Sequence, residues 1–360
     1  NIKMRGEKMS TEPLKNTELS INPQVIGLQV ESMNQDIIPN DNFFVRSHSN
    51  QPEIDISTWN LNIFHDDKHI KSLNYDDILS LKSHEFKNVL ECAGNSRAAI
   101  QPPVEGLLWD NSGVSSAYWT GVSVSQILEG IETAGCVEIA FIGADVAMNP
   151  TTNANEQFGA SLPIDKALLP EIQIVHSMNG ETLPISHGFP LRLIVPGWYG
   201  MASVKWLTEI RLLSKAYYGF HQSEYYVYQK LGALESDKPE RVTSMQVKSL
   251  VTSPNRGQSF TDCPVSIRGK AWTGTGNISK VEISLDEGKS WHSANLEHNS
   301  EPRHWTSWEY QFENAKPGYY IVQSRASDSE GNIQPMKFDW NFRGFANNGI
   351  HGVPFRIKPD

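Results

Sequence analysis

The hydrophobic pattern of this chain changes at a short charged stretch. Before Glu235–Arg241 (ESDKPER) helical and strand patterns alternate, whereas after it the periodicity is that of strands alone. Short alternating runs separated by turn residues are typical of a β-sandwich of about 100 residues. A chain of 360 residues is also longer than one small core requires. The sequence therefore predicts a domain over residues 21–235, a second over 236–360, and a flexible segment over 1–20.

The first of these domains carries both helix and strand patterns. Tyr75–Leu81 and Ser123–Ile131 place apolar residues at helical spacing behind polar starts. Val89–Glu91, Glu138–Ile142 and Leu191–Val195 are short, mostly apolar runs near Gly or Pro, which is the pattern of buried strands. This combination predicts a mixed α+β domain.

The last third of the chain contains strand patterns only. Val265–Gly269, Val281–Leu285 and Tyr320–Ala326 are strand-like runs, with turn residues following the last two. Five of the ten tryptophans lie in this third, and we expect them to fill the core of a sandwich. They are Trp272, Trp291, Trp305, Trp308 and Trp340.

Composition excludes several functional classes. With 31 Lys and Arg against 41 Asp and Glu the net charge is −10, which argues against a broad nucleic-acid surface. No apolar run reaches the roughly 18 residues that suggest a membrane-spanning helix. Three cysteines cannot form a four-cysteine zinc site or a disulfide framework. Because an acidic protein repels anions at long range, an anionic substrate would require a local cluster of arginines.

The N-terminal stretch leaves the cellular compartment open. Residues 1–31 are polar and contain no apolar region of a secretory signal. Since the sequence begins at Asn1, we expect a periplasmic protein if a native leader is missing from it, and a cytoplasmic one otherwise.

Cys92 is the first candidate for chemistry. It lies in Glu91–Arg97 (ECAGNSR), where a short apolar strand gives way to a turn that contains glycine. Positive charge from Arg97 would favour the thiolate form of Cys92, whereas a small buried hydrophobe is the alternative interpretation. Cys136 and Cys263 have no such neighbours, and a disulfide between Cys92 and Cys136 stays open on sequence alone.

Two further segments concentrate cationic side chains. Arg46 and His48 are two residues apart on a predicted strand, so they share a face on which a guanidinium could bind an oxyanion. His187, Arg192 and Lys205 are spread along a glycine-containing strand–loop–strand stretch, which suits a ligand that bears a phosphate. Each residue taken singly is equally compatible with an ordinary structural role.

Together these segments resemble the sulfite oxidase family of molybdenum enzymes. The resemblance rests on Glu91–Arg97, on Phe43–His48, and on His187–Pro190 with Val204–Trp206. The last third resembles the immunoglobulin-like dimerisation domain of that family and ends in Trp340–Gly344. The resemblance implies an α+β fold, with a mixed α/β molybdopterin-binding domain followed by an all-β immunoglobulin-like sandwich, and it implies a homodimer.

The resemblance also implies roles for individual residues. Cys92 would be the single protein ligand of molybdenum, alongside the dithiolene of molybdopterin. The arginines of the catalytic set would form an anion pocket with a tryptophan as its wall, and either of two adjacent tyrosines would be the active-site tyrosine. The implied catalytic residues are Arg46, Arg97, Trp109, Tyr225, Tyr226 and Arg343. The implied cofactor-binding residues are Arg46, His48, Asp145, His187, Arg192, Ser203 and Lys205.

The activity that follows from the resemblance is the oxidation of sulfite to sulfate by oxygen-atom transfer. Since the chain carries no haem motif, electrons are expected to pass to a separate protein or to oxygen, with a c-type cytochrome preferred. The chain departs from many relatives at Ser96, where the first of two arginines is common, and at Ser47. Two alternatives stay open: the same fold acting on another sulfur oxyanion, a carrier-bound sulfur species or nitrate, and a non-enzymatic adhesion protein.

Overall fold

The computed structural model describes residues 17–21, 23–234, 239–261, 263–297, 303–313 and 315–359. Most of the predicted flexible segment 1–20 therefore lies outside the described residues, as does the predicted domain boundary between residues 235 and 236.

The first domain is built mainly from short strands. In chain order they are β1 (Thr17–Ser20), β2 (Val25–Gly27), β3 (Val45–Arg46), β4 (Leu61–His65), β5 (Lys68–Leu73), β6 (His84–Glu91), β7 (Val114–Ser123), β8 (Glu138–Met148), β9 (Asn155–Pro163), β10 (Gln173–Met178), β11 (Glu181–Thr182), β12 (Arg192–Ile194), β13 (Leu207–Leu213) and β14 (Val227–Tyr228). One sheet has the order β5-β4-β13-β8-β9, and another has β11-β10-β7-β6 with β12 also paired to β10. The strands β1-β2-β3 form a smaller sheet.

Helical segments in this domain are short. The α-helices are α1 (Tyr75–Leu79), α2 (Val124–Ile127) and α3 (Ile164–Ala167). The 3-10 segments are Val30–Asn34, Asn40–Asn42, Arg97–Ala99, Ile185–His187 and Gly200–Ala202, and a π-helical turn covers His221–Tyr225.

Local chemistry accounts for where the first two helices begin. Asn74 and Asp77 form a reciprocal capping box at the start of α1, and Ser123 accepts a hydrogen bond from the Gln126 amide at the start of α2. Both helices thus begin where the sequence predicts them. Both end earlier than predicted, with α2 followed closely by Gly130 at φ +77°.

The second domain is a sandwich of two sheets whose strands pair mostly in the antiparallel direction. Its strands are β15 (Glu240–Arg241), β16 (Lys248–Ser253), β17 (Ser259–Phe260), β18 (Val265–Trp272), β19 (Ile278–Ser284), β20 (His292–Ser293), β21 (Asn295–Leu296), β22 (Thr306–Phe312), β23 (Gly318–Asp328) and β24 (Gly352–Ile357). One sheet has the order β16-β18-β22-β21 and the other has β17-β24-β23-β19-β20, while β15 pairs with β14 of the first domain. The α+β class with a terminal all-β sandwich is therefore confirmed.

The prediction that the tryptophans of the last third fill the sandwich core is wrong for most of them. Trp308 packs there with residues such as Ile267 and Val322. Trp272 and Trp305 instead belong to the large apolar cluster of the first domain. The remaining two, Trp291 and Trp340, are only partly buried. Trp272 and Trp305 fill the region where the two domains meet, because apolar surface between the domains must also be removed from water.

Part of the second domain consequently shares the core of the first, whereas the sandwich keeps a core of its own. Leu250 and Phe345 of the second domain lie in the same buried cluster as the first-domain strands. In the part of the chain that the structure describes, no helix is long and apolar enough to span a membrane.

Candidate active site

Cys92 lies immediately after β6, in a loop fixed by backbone hydrogen bonds. Its amide donates to Gly113 O at 2.8 Å, and its carbonyl accepts from the Asn95 amide at 2.9 Å. The side chain of Asn95 accepts in turn from the Gly113 amide at 3.0 Å. Cys92 is only 7% exposed, and Cys92, Cys136 and Cys263 are all free thiols. A disulfide between Cys92 and Cys136 is therefore not formed.

Cys92 lies in the wall of an inner cavity that contains about 680 Å³ of empty space, part of it open to solvent. Segments far apart in the chain meet here, because β3, the loop after β6 and the loops on both sides of β12 converge on one point. The predicted site residues in its wall are Arg46, His48, Cys92, Asp145, His187, Arg192, Ser203, Lys205 and Tyr226.

Two cations of this wall are held by backbone carbonyls. The buried Arg192 donates to His187 O at 3.0 Å and to Ser203 O at 3.1 Å, and burial lowers its pKa to about 9. Lys205 donates to Ser186 O at 2.9 Å, and desolvation, followed by repulsion from Arg192, lowers its pKa. Because neither cation has a carboxylate hydrogen-bonded to it, an anionic ligand would gain strong contacts with both.

The same wall holds two titratable groups whose pKa values are shifted by burial. Burial lowers the pKa of His187 to about 3, so its imidazole is neutral at pH 7 and Nε2 donates to Asn40 O at 3.0 Å. Burial raises the pKa of Asp145 to about 6, although the positive charge of Lys205 acts in the opposite direction. Asp145 is therefore poised to exchange a proton near neutral pH.

These residues fit the cofactor that the sequence implies. Among the described residues, the buried atoms Asp145 Oδ1 and Arg192 Nε have no hydrogen-bond partner, and both belong to residues that line the cavity. Buried polar atoms are normally satisfied, so an unpaired set around a cavity points to a polar ligand. Cations suit a phosphate, and the Cys92 thiolate suits a soft metal.

A wider outer cavity adjoins the inner one and contains about 2320 Å³ of empty space including open solvent. Arg46 and His48 line both cavities. Tyr225 and Arg343 also line the outer one, and the guanidinium of Arg343 lies 4.7 Å from the centre of the Tyr225 ring. Arg343 comes from the second domain, so the walls of the outer cavity are formed by both domains.

The two candidate tyrosines occupy different positions. The hydroxyl of Tyr226 lies 2.7 Å from His48 Nε2 and faces the inner cavity with Cys92. Burial raises the pKa of Tyr226, so its hydroxyl stays protonated. Tyr225 lies in the outer cavity under Arg343. The role of either tyrosine in contacting the substrate stays a prediction.

Two predicted site residues line neither cavity. The Arg97 guanidinium donates to Leu107 O at 2.8 Å and to Arg343 O at 3.0 Å, so it supports the backbone that carries Arg343. Trp109 is fully buried and packs edge-on against Phe44, with ring centres 6.1 Å apart. Arg97 and Trp109 could therefore affect an anion pocket only indirectly, by positioning the residues that they contact.

His221 is a site residue that the sequence analysis misses. It lines the outer cavity, and its ring packs edge-on against His48 at 4.8 Å. Burial, followed by repulsion from Arg46, lowers the pKa of His221 to about 4. In the sequence, the feature that points to His221 is its position four residues before Tyr225, which is itself a predicted site residue.

Comparisons with known proteins agree with this geometry. Residues 48–221 match the family model described as "Oxidoreductase molybdopterin binding domain". Residues 240–358 match the one described as "Mo-co oxidoreductase dimerisation domain". The mitochondrial sulfite oxidase of Rattus norvegicus is 31% identical over 98% of this chain and 68% of its own length. This chain belongs to the sulfite oxidase family of molybdenum enzymes.

Two further proteins extend the comparison. The mitochondrial sulfite oxidase of Drosophila melanogaster is 33% identical over 92% of this chain, which spans 61% of that relative's length. The crystal structure of the sulfane dehydrogenase SoxCD from Paracoccus pantotrophus has a TM-score of 0.79 at 24% identity, covering 96% of this chain and 92% of that one. At that identity the likeness describes the fold alone.

Proposed function

We propose that this protein oxidises sulfite to sulfate with a molybdenum–molybdopterin cofactor and passes the electrons to an external acceptor. The observation that carries the proposal is the position of Cys92, a buried free thiol in the wall of a cavity that also contains Arg192 and Lys205. Cys92 would ligate the metal, and the cations would hold the phosphate of the pterin. When bound, the cofactor supplies the oxygen-atom transfer and the two-electron redox chemistry.

Substrate attraction is assigned to the arginines of the outer cavity. The net charge of −10 disfavours an approaching dianion. Arg46 and Arg343 lie in the wall of the cavity through which it would enter. The pKa values of His48 and His221 are lowered mainly by desolvation, so both rings are neutral at pH 7 and the positive charge comes from the guanidinium groups. Fixed guanidinium groups in a partly enclosed site stabilise oxyanions with little reorganisation.

The overall reaction requires an acceptor. Sulfite and water give sulfate, two protons and two electrons. We assign the electrons to a separate carrier, of which a c-type cytochrome is the expected kind. The match of residues 240–358 to a dimerisation domain supports a homodimer.

A substrate panel tests the proposal. Protein purified from molybdenum-replete cells is assayed for molybdenum and pterin, then for turnover of sulfite and thiosulfate with cytochrome c or ferricyanide as electron acceptor, and for turnover of nitrate with reduced methyl viologen as electron donor. Sulfite-dependent reduction of cytochrome c is expected. Absence of molybdenum and pterin would contradict an enzymatic role and favour the adhesion alternative, whereas turnover of nitrate alone would contradict sulfite as the substrate.

A carrier-bound sulfur species is the second candidate substrate. The size of the outer cavity supports it, because a sulfur group carried on a peptide needs a wide approach to the metal. A peptide with a cysteine persulfide, whose terminal sulfur can still accept oxygen, is added to the same panel and separates the two candidates. Turnover of this peptide without turnover of free sulfite would favour the carrier-bound substrate.

A further inference from the structure

A buried ion pair lies directly behind Cys92. Glu91 Oε1 accepts from Lys248 Nζ at 3.0 Å, and the two side chains are 2% and 1% exposed. Glu91 is the last residue of β6, and Lys248 is the first residue of β16 in the second domain. The residue next to the proposed metal ligand is therefore bonded to a side chain from the other domain.

Lys248 contacts both ends of the loop that contains Cys92. Besides Glu91, its ammonium donates to Ser96 Oγ and to Asn347 O, each at 2.8 Å. Ser96 has a left-handed backbone at φ 67°, which is costly for a residue other than glycine and persists only where its surroundings impose it. A single ammonium group thus holds the loop one residue before Cys92 and four residues after it.

The remaining oxygen of Glu91 is also bound from the second domain. Trp272 Nε1 donates to Glu91 Oε2 at 2.8 Å, and Trp272 lies directly opposite Lys248 in the register of β16 and β18. Within the loop itself, Asn95 Nδ2 donates to Glu91 Oε1 at 3.0 Å. The carboxylate is therefore fully hydrogen-bonded by groups that fix its orientation.

Stability alone does not account for this arrangement. A buried ion pair costs so much desolvation that apolar residues of similar volume often serve the fold equally well. What such a pair does provide is one defined geometry, because moving either partner leaves a buried charge unpaired. The contact of Lys248 with Ser96 also gives a physical reason for a small side chain at this position, because the serine hydroxyl leaves space for the ammonium.

We propose that Lys248 is a positioning residue for Cys92, through which the second domain sets the orientation of the metal-binding loop. The inference rests on the proposed role of Cys92 as molybdenum ligand. Lys248 also offsets the negative charge of Glu91, which would otherwise lie beside the thiolate. Groups that orient a metal ligand in this way alter metal affinity or activity by about tenfold to a hundredfold when they are removed.

The test compares Lys248→Met with Lys270→Met. Lys270 is a matched control, since it is also a buried lysine of the second domain, and it contacts Ser307 Oγ at 2.7 Å and Asp36 at 3.7 Å instead of the Cys92 loop. Molybdenum content, the thiolate-to-metal absorption band, and kcat and KM for sulfite are measured on each purified protein. The first two readouts do not depend on the identity of the substrate.

Lys248→Met is expected to shift the absorption band and to lower kcat by about tenfold or more, with a much smaller change in KM. Lys270→Met is expected to lower thermal stability while the band and kcat stay as in the wild type. An unshifted band in molybdenum-loaded Lys248→Met, or the same shift in both variants, overturns the inference. Wild-type protein without molybdenum would instead overturn the proposed function.

A double variant separates positioning from the cost of an unpaired charge. Glu91→Gln combined with Lys248→Met removes both charges and keeps an acceptor for Trp272. A band that remains shifted supports positioning by Lys248, and a band restored to its wild-type position contradicts it. If these variants lack the metal, the rate of Cys92 alkylation is compared in cofactor-free protein in a Cys136→Ser, Cys263→Ser background. A rate about tenfold above the same background with Lys248 intact is expected, and equal rates contradict the inference.

Discussion

The three free thiols of this chain have different surroundings. Cys136 Sγ lies 3.4 Å from His65 Nε2, and burial raises the pKa of this thiol. Cys263 is exposed and lies 3.3 Å from Ala315 O. Only Cys92, among the thiols of the described residues, lines a cavity together with cations and unpaired polar groups. This environment supports the proposal that Cys92 is the metal ligand, because metal affinity depends on neighbouring groups as well as on the ligand.

The first prediction concerns Cys92 itself. Cys92→Ser is expected to abolish molybdenum-dependent sulfite oxidation, because a hydroxyl is a hard donor that binds the metal poorly. The fold is expected to persist, since serine has almost the same volume and the loop bonds use backbone groups. Molybdenum content, turnover and the circular dichroism spectrum are measured together. Wild-type turnover in Cys92→Ser would show that the ligand assignment is incorrect.

The second prediction concerns the charge at the outer cavity. Arg343→Met is expected to raise the KM for sulfite by about tenfold or more, because a charge-assisted hydrogen bond contributes about 1.5–3 kcal/mol. Arg356→Met is the matched control. Arg356 is also in the second domain, and its guanidinium also lies over a tyrosine ring, 5.2 Å from the centre of Tyr319. The KM for sulfite is measured for both variants by steady-state kinetics. Equal KM values in Arg343→Met and wild type would remove Arg343 from substrate binding.

At this scale, the sequence predicts candidate residues where the chemistry is local. The motif around Cys92 predicts the metal ligand, a role that stays a prediction, and the spacing of Arg46 and His48 predicts a shared face. All three side chains line the inner cavity. The sequence does not predict the orientation of Arg97, because its guanidinium donates to the carbonyl of a residue 246 positions away. Lys248 is likewise 157 residues from Glu91, and no spacing rule connects them.

At the scale of elements, the turn between the 3-10 segment Ile185–His187 and β12 shapes the inner cavity. Gly188 ends that segment at φ +113°. An added Cβ there would lie 3.0 Å from Cβ of Arg192 and 3.1 Å from Cβ of Lys205. A side chain at this turn would therefore push on both cations proposed to hold the phosphate.

The third prediction uses this turn. Gly188→Ala is expected to lower the free energy of unfolding by about 1 kcal/mol or more, and to reduce cofactor content as well. Gly180→Ala is the control, because Gly180 has φ +78° but no atom within 4 Å of an added Cβ. The control should lose stability alone. Pterin content per protein chain is the deciding measurement, and equal cofactor content in the two variants would argue against the role of this turn.

The strands that the sequence predicts in the first domain are short, mostly apolar runs near Gly or Pro. Val89–Glu91 proves to be the buried end of β6, and Glu138–Ile142 the buried start of β8. The location of the large rings is not predictable in the same way. Trp272 and Trp308 both follow strand patterns, but one faces the other domain and the other faces the sandwich core. Strand periodicity specifies two faces and does not say what covers each face.

At the scale of the whole molecule, a second set of ionic contacts joins the two domains. Asp36 of the first domain accepts from His304 Nε2 at 2.9 Å, and it lies 3.7 Å from Lys270 and 3.6 Å from Lys87. His304 Nδ1 lies 2.8 Å from Ser116 Oγ of β7. The hydrogen bond from His304, followed by the nearby positive charges, lowers the pKa of Asp36 to about 2 from an ordinary value of 3.8.

The fourth prediction follows from this lowered pKa. Because the folded-state pKa lies below the unfolded one, the ionised carboxylate stabilises the fold above about pH 4, and this contribution disappears as pH falls toward 2. Asp36 is partly exposed, so we expect the contribution to be about 1 kcal/mol. Urea unfolding between pH 5 and pH 2 should therefore give a stability difference between wild type and Asp36→Asn that is full at pH 5 and vanishes near pH 2. Asp67→Asn, in the exposed turn between β4 and β5, serves as the control for removal of a surface carboxylate away from the contact between the domains. A difference for Asp36→Asn that is independent of pH would mean that the contact acts through packing and not through charge.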